Sequence, residues 1–171
     1  MMIEITNQYI TNNRIDKKAL AEFGADVVEI EGDNIIFKTD VEFYECDALT
    51  SLDKVTFNCD VKIFYCNSLS SAAGATFNKM IVFRECLNLS SVAGATFNGE
   101  TSFWFCDYLA SVTGITFNGD VEFFECNNLF FVYDITFNGN VKFESCKSLI
   151  SVAGATFKKG FKAYKCPNLK Q

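Results

Sequence analysis

Apolar positions along this chain of 171 residues recur every twenty residues. In each unit two apolar side chains flank a polar or variable one, as Val41/Phe43, Val61/Ile63, Ile81/Phe83, Val121/Phe123 and Val141/Phe143; Thr101/Phe103 and Phe161/Ala163 are weaker copies. That alternation is the pattern of a strand with one buried face. Three more columns share the interval: a Phe column from Phe37 to Phe157, a Leu column from Leu49 to Leu169, and Cys46, Cys66, Cys86, Cys106, Cys126, Cys146 and Cys166. A unit this short cannot bury its apolar side alone, so the pattern predicts coils stacked into an elongated solenoid. Asn98-Gly99, Asn118-Gly119 and Asn138-Gly139 supply one turn, read as tolerance of positive φ, and Gly74, Gly94, Gly114 and Gly154 mark a second. Two turns per unit leave little room for a helix. The expectation is short strands about 4.8 Å apart in a parallel sheet, with extended or 3₁₀ segments closing each coil.

Residues 1–34 stand outside the repeat and are expected to cap it; residues 35–171 form seven coils, the last truncated. Asp16 to Gly24 reads as a short helix, with Asn13 or Asp16 as N-cap and Gly24 just past its end. Val27 to Ile30 reads as a strand, and the Lys-rich last coil is protected by charge rather than by a separate element.

The stretch V-x-F-x-x-C-x-x-L resembles the strand segment of leucine-rich repeats, with Phe often in place of Leu and Cys in place of Asn. Phe103 to Val112, F-x-x-C-x-x-L-x-S-V, is similar to the Treponema-type (BspA-like) class of these repeats. The resemblance covers about residues 36–169 and implies a bacterial protein-binding solenoid with its variable strand positions on a concave sheet. The period is shorter than is usual for Cys-containing types. A right-handed β-helix, including the pentapeptide-repeat kind, is the alternative. Ala95 to Gly99 fits one pentapeptide face, but the apolar columns at 101, 103, 106, 109 and 112 do not fall at steps of five.

Uniform columns report packing, so binding is sought where the units differ. The positions expected to face outward carry Tyr44, Phe64, Tyr65, Arg84, Trp104, Phe105 and Phe124, with acids interspersed. Aromatic and Arg side chains are the commonest anchors of protein interfaces, so this row is a candidate partner-binding surface. The competing reading is a cross-strand aromatic ladder that only stabilises the sheet. Phe130, Phe131 and Tyr133 replace small or polar residues of other units and suggest a second contact, such as a homo-oligomer interface, or a local repacking.

Composition narrows the chemistry. The chain has no His, so a Ser or Cys nucleophile lacks its commonest base, and no Gly-rich phosphate loop is present. No catalytic residue, metal site or cofactor is expected. The ladder cysteines read as small buried hydrophobes that stay reduced in a cytosolic chain, and Cys59 as the best candidate for an exposed thiol. Net charge is −6, but residues 1–60 hold 13 acids and 5 bases while residues 141–171 hold 1 acid and 7 bases. Few and terminal basic residues argue against nucleic acid, and an acidic DNA mimic is the least favoured reading. No secretory signal or membrane-spanning run is visible, so a cytoplasmic protein with no membrane partner is expected, with an unconventional secretion route left open. The favoured function is a non-enzymatic protein-binding module; the alternative is a structural or self-assembling solenoid.

Overall fold

The computed structural model describes residues 2–170. The twenty-residue interval becomes one turn of a β-solenoid. Strands Val41–Tyr44, Val61–Phe64, Ile81–Arg84, Thr101–Trp104, Val121–Phe124, Val141–Glu144 and Phe161–Tyr164 lie side by side in one parallel sheet. Pairing is in register by whole units, as Val61↔Ile81↔Thr101↔Val121. Their first and third residues point inward, and the second and fourth point outward, as alternation requires.

The Thr-Phe pairs, expected as extended connections, form a second parallel sheet. It runs from Asn34–Phe37 and Val55–Phe57 through Thr76–Phe77 to Thr156–Phe157. Serine bridges Ser51↔Ser71 and Ser71↔Ser91, with the strand pair Ser111–Thr113 and Phe131–Tyr133, line a third side.

The core is two interlocked columns of phenylalanine. Consecutive rings of the column Phe37 to Phe157 stack with centroids 4.7–5.3 Å apart. Phe83, Phe103, Phe123 and Phe143 stack at 5.2 Å on the opposite sheet. The two columns meet edge to face at 5.7–6.3 Å, so Phe77, Phe83, Phe97, Phe103 and Phe117 each show both of the geometries that aromatic quadrupoles prefer. The Cys and Leu columns fill the rest of the interior.

The N-terminal segment begins each sheet. Ile3–Ile5 pairs in parallel with Val41–Tyr44 and takes the place of a preceding coil. Val28–Glu31 folds back antiparallel on Asn34–Phe37 through Gly32, at φ 59°. Between them, Asp16 caps the helix Lys17–Leu20 by accepting from the amides of Lys18 and Ala19 at 2.8 and 3.3 Å. A 3₁₀ turn, Ala21–Phe23, carries the chain to Gly24 at φ 79°. At the other end the strand Phe161–Tyr164 is exposed at all four residues.

Two expectations about single residues are corrected. Gly99, Gly119 and Gly139 do not have positive φ; a Cβ there would lie 2.2–2.3 Å from backbone atoms of the preceding coil. Close approach of coils, rather than turn handedness, requires glycine at these sites. Cys59 is buried, with its side chain turned into the core, and burial pushes its thiol up to about 12.

Candidate interaction surface

The first sheet turns one face to the Phe core, which leaves the second and fourth residue of each strand on the outside. The fourth residues form one continuous row, Tyr44↔Phe64↔Arg84↔Trp104↔Phe124↔Glu144↔Tyr164. The sequence-predicted residues therefore share a surface, and register brings them together in two groups.

In the first group the Tyr44 and Tyr65 rings meet edge to face at 5.6 Å, and the Arg84 guanidinium lies 5.9 Å from the Tyr65 centroid. That distance is within reach of a cation–π contact. Tyr44 is 39% exposed; Phe64, Tyr65 and Arg84 are half-buried. In the second group Phe105 and Phe124 meet edge to face at 5.3 Å, and Trp104 stands beside them. Trp104 Nε1 donates to Glu122 Oε2 at 2.8 Å, and Lys142 Nζ reaches Glu122 Oε1 at 2.9 Å and Glu144 Oε2 at 2.6 Å. The carboxylates of Glu144 and Glu122 hold the Lys142 ammonium protonated above the usual lysine range. These side chains border an open groove of about 360 Å³, from Arg84 to Glu144. A larger depression, about 550 Å³, continues past Glu122 and Lys142 toward Lys162 and Tyr164.

The residue after each strand closes the corner in the left-handed region. Glu45, Tyr65, Glu85, Phe105, Glu125, Ser145 and Lys165 all have φ of 50–58°. Such a conformation costs a non-glycine residue about 1–2 kcal/mol, and bulky aromatic residues are unusual there. Tyr65 and Phe105 thus hold their rings on this face against a local conformational cost.

Phe130, Phe131 and Tyr133 lie on the third side, 38%, 47% and 43% exposed, away from the aromatic row. The sequence reading passed over Leu87 and Tyr108, the latter 62% exposed, which adjoin through the Tyr108 amide and the Leu87 carbonyl at 3.2 Å. Both replace mostly polar or small residues in their columns, so the variable-column argument that found Trp104 also applies to them.

The cysteine column faces inward. Cys66, Cys86, Cys106, Cys126 and Cys146 each direct the thiol at the carbonyl twenty-three residues earlier, at 3.3–3.8 Å. Ile5 supplies the matching carbonyl for Cys46 at 3.0 Å. All eight cysteines are free, and seven are buried. Among the described residues no cluster of three or more His, Cys, Asp or Glu side chains is placed to hold a metal ion, and no helix is long and apolar enough to cross a membrane. Compared with family models, curated proteins and solved structures, the chain matches none of them.

Proposed function

We propose that the chain is a non-enzymatic protein-binding module whose contact surface is the outer face of the first sheet, centred on Trp104 and Phe124. The observation that carries this reading is the pair of aromatic groups flanking Arg84, with Tyr65 and Phe105 held in left-handed backbone. A ring kept where glycine or asparagine would cost less is more readily understood as a contact residue than as filler. The groove beside Trp104 gives a partner side chain a partly desolvated seat, and Trp, Tyr and Arg are the usual anchors of such seats. Leucine-rich-repeat membership belongs to the same proposal, as does a cytoplasmic setting.

A pull-down comparing wild type with the Trp104→Ala/Phe124→Ala pair tests it. The expected result is a protein captured by wild type and lost by the variant, while both melt at similar temperatures. The same proteins with both baits, or none with either, would overturn the reading.

A second reading has its own observation: Phe130, Phe131 and Tyr133 leave an apolar patch on the third side. Self-association through it would show as a concentration-dependent mass in light scattering, abolished by Phe131→Asp. A monomer at every concentration and salt level removes this reading.

A further inference from the structure

The second sheet carries an outer face that the proposed function leaves unused. Thr56, Thr76, Thr96, Thr116, Thr136 and Thr156 stand there, one per coil, kept in line by the parallel pairing. Two residues further on, Asn58, Asn78, Asn98, Asn118 and Asn138 form a second row. Each Asn Nδ2 from Asn78 onward donates to the Oδ1 of the asparagine one coil earlier, at 2.6–2.7 Å. The Phe between each pair points into the core, so both rows lie on the outer side.

Core packing does not account for the threonine row. Its residues are half-buried or exposed, yet each of the six coils from Thr56 to Thr156 carries threonine, and only Ile36, at the head of the column, departs. The asparagines are explained by their mutual hydrogen bonds; the threonines are not. The threonine hydroxyls that bond within the protein are those of Thr11, Thr50 and Thr101. Among the described residues the six of this row have no partner. A line of free hydroxyls therefore runs beside a line of fixed amides.

Three properties define what could bind. The face is periodic, with about 4.8 Å between coils and about 6.7 Å between the two rows. It is rigid, since stacked rings lie below it and the amide ladder borders it. It is also uncharged where it is most regular: Gly74 to Asn78, Gly94 to Asn98 and Gly114 to Asn118 contain no ionisable side chain in a protein of net charge −6. The complementary ligand is neutral, itself periodic and rigid, and able both to donate and to accept hydrogen bonds. No aromatic side chain stands on this face in those three coils, so a sugar ring or a protein partner finds no stacking platform or anchor.

We infer that the Thr–Asn face binds the surface of ice. A lattice of water molecules has this neutrality, this mixed donor and acceptor character, and a regular repeat of its own. Water molecules ordered between the hydroxyls and amides would join the lattice without rearranging the protein. Each contact is weak, but a rigid array engages many at once with little ordering cost.

The test uses the full chain and three versions of it. Wild type is expected to shape growing ice crystals into facets, to arrest their growth below the melting point, and to be incorporated into a slowly growing ice hemisphere. Thr96→Lys/Thr116→Lys, at two exposed positions, is expected to lose all three effects while keeping the wild-type melting curve. Trp104→Ala/Phe124→Ala, on the other sheet, is expected to retain them, which separates this inference from the protein-binding proposal. Round, unfaceted crystals with wild type and exclusion of the protein from ice would overturn the inference. So would full activity in the lysine variant, or sedimentation with crystalline cellulose in the absence of any effect on ice.

Discussion

Trp104 and Glu122 are joined across neighbouring strands by a hydrogen bond from the indole nitrogen, at 2.8 Å. Glu122 is also one of two carboxylates around Lys142, so the only tryptophan is tied into a charged cluster on the sheet surface. Exposed ion pairs of this kind contribute about 0.2–1 kcal/mol each, so Glu122→Ala should change stability by less than about 1 kcal/mol. It frees the indole, however. We expect a shift in Trp104 emission, and weaker capture of any partner that the Trp104→Ala/Phe124→Ala pair loses. Unchanged emission would show that the bond does not hold the ring in solution.

Aromatic residues inside and outside the solenoid should respond very differently to truncation. Phe117 is fully buried between Phe97 and Phe137, and Phe117→Ala is expected to cost about 3–5 kcal/mol in denaturant unfolding. Phe131 is about half exposed on the third side, and Phe131→Ala should cost about 1 kcal/mol or less. Similar costs for the two would contradict the assignment of inside and outside.

The two glycine columns are needed for different reasons, and substitution can tell them apart. Gly114 has φ 67° with open space around it, so Ala costs about 1–2 kcal/mol through backbone strain, and Asn should recover much of the loss. At Gly119 a Cβ would sit 2.3 Å from the Gly99 carbonyl oxygen. Any side chain there forces coils apart, with a cost of about 1–3 kcal/mol, and Asn should rescue nothing. Thermal melts of the four variants would decide it.

The thiol column makes stability fall at alkaline pH. Burial raises Cys86, Cys106 and Cys126 well above the ordinary thiol range, and Cys146 to about 12. A group whose folded pKa is raised contributes stability that is complete below its unfolded pKa, near 9, and is lost as pH climbs toward the folded value. Each such thiol removes about 1.4 kcal/mol per pH unit in that window. Unfolding midpoints measured between neutral pH and pH 10 should therefore drop steeply above pH 9, and less steeply in Cys106→Ala. Under native neutral conditions a thiol reagent should modify Cys166, the one cysteine not fully buried, well before the other seven.

The architecture was legible in the sequence because the first-sheet strand is long enough to show alternation. Asp16 was legible as a cap because its chemistry is local. The second sheet was not: Thr-Phe is two residues long, too short to display a period, and its pairing is with residues twenty positions away. Ile3–Ile5 was missed for the same reason, since nothing local marks it as a substitute for a coil. The left-handed corner at Tyr65 and Phe105 carries no Gly or Asn to announce it. The aromatic row was found because it varies. A search of variable columns passes over the threonine row, whose six members from Thr56 to Thr156 are identical, although an exposed residue repeated without a packing reason is equally informative.

The asparagine ladder and the Phe columns link each coil only to its neighbours. Copying one twenty-residue segment of the gene in frame would lengthen the rod by about 4.8 Å and leave both outer faces in phase. Length, and with it the number of contacts offered to a repeating surface, can thus change by recombination in single steps, with no new core to invent.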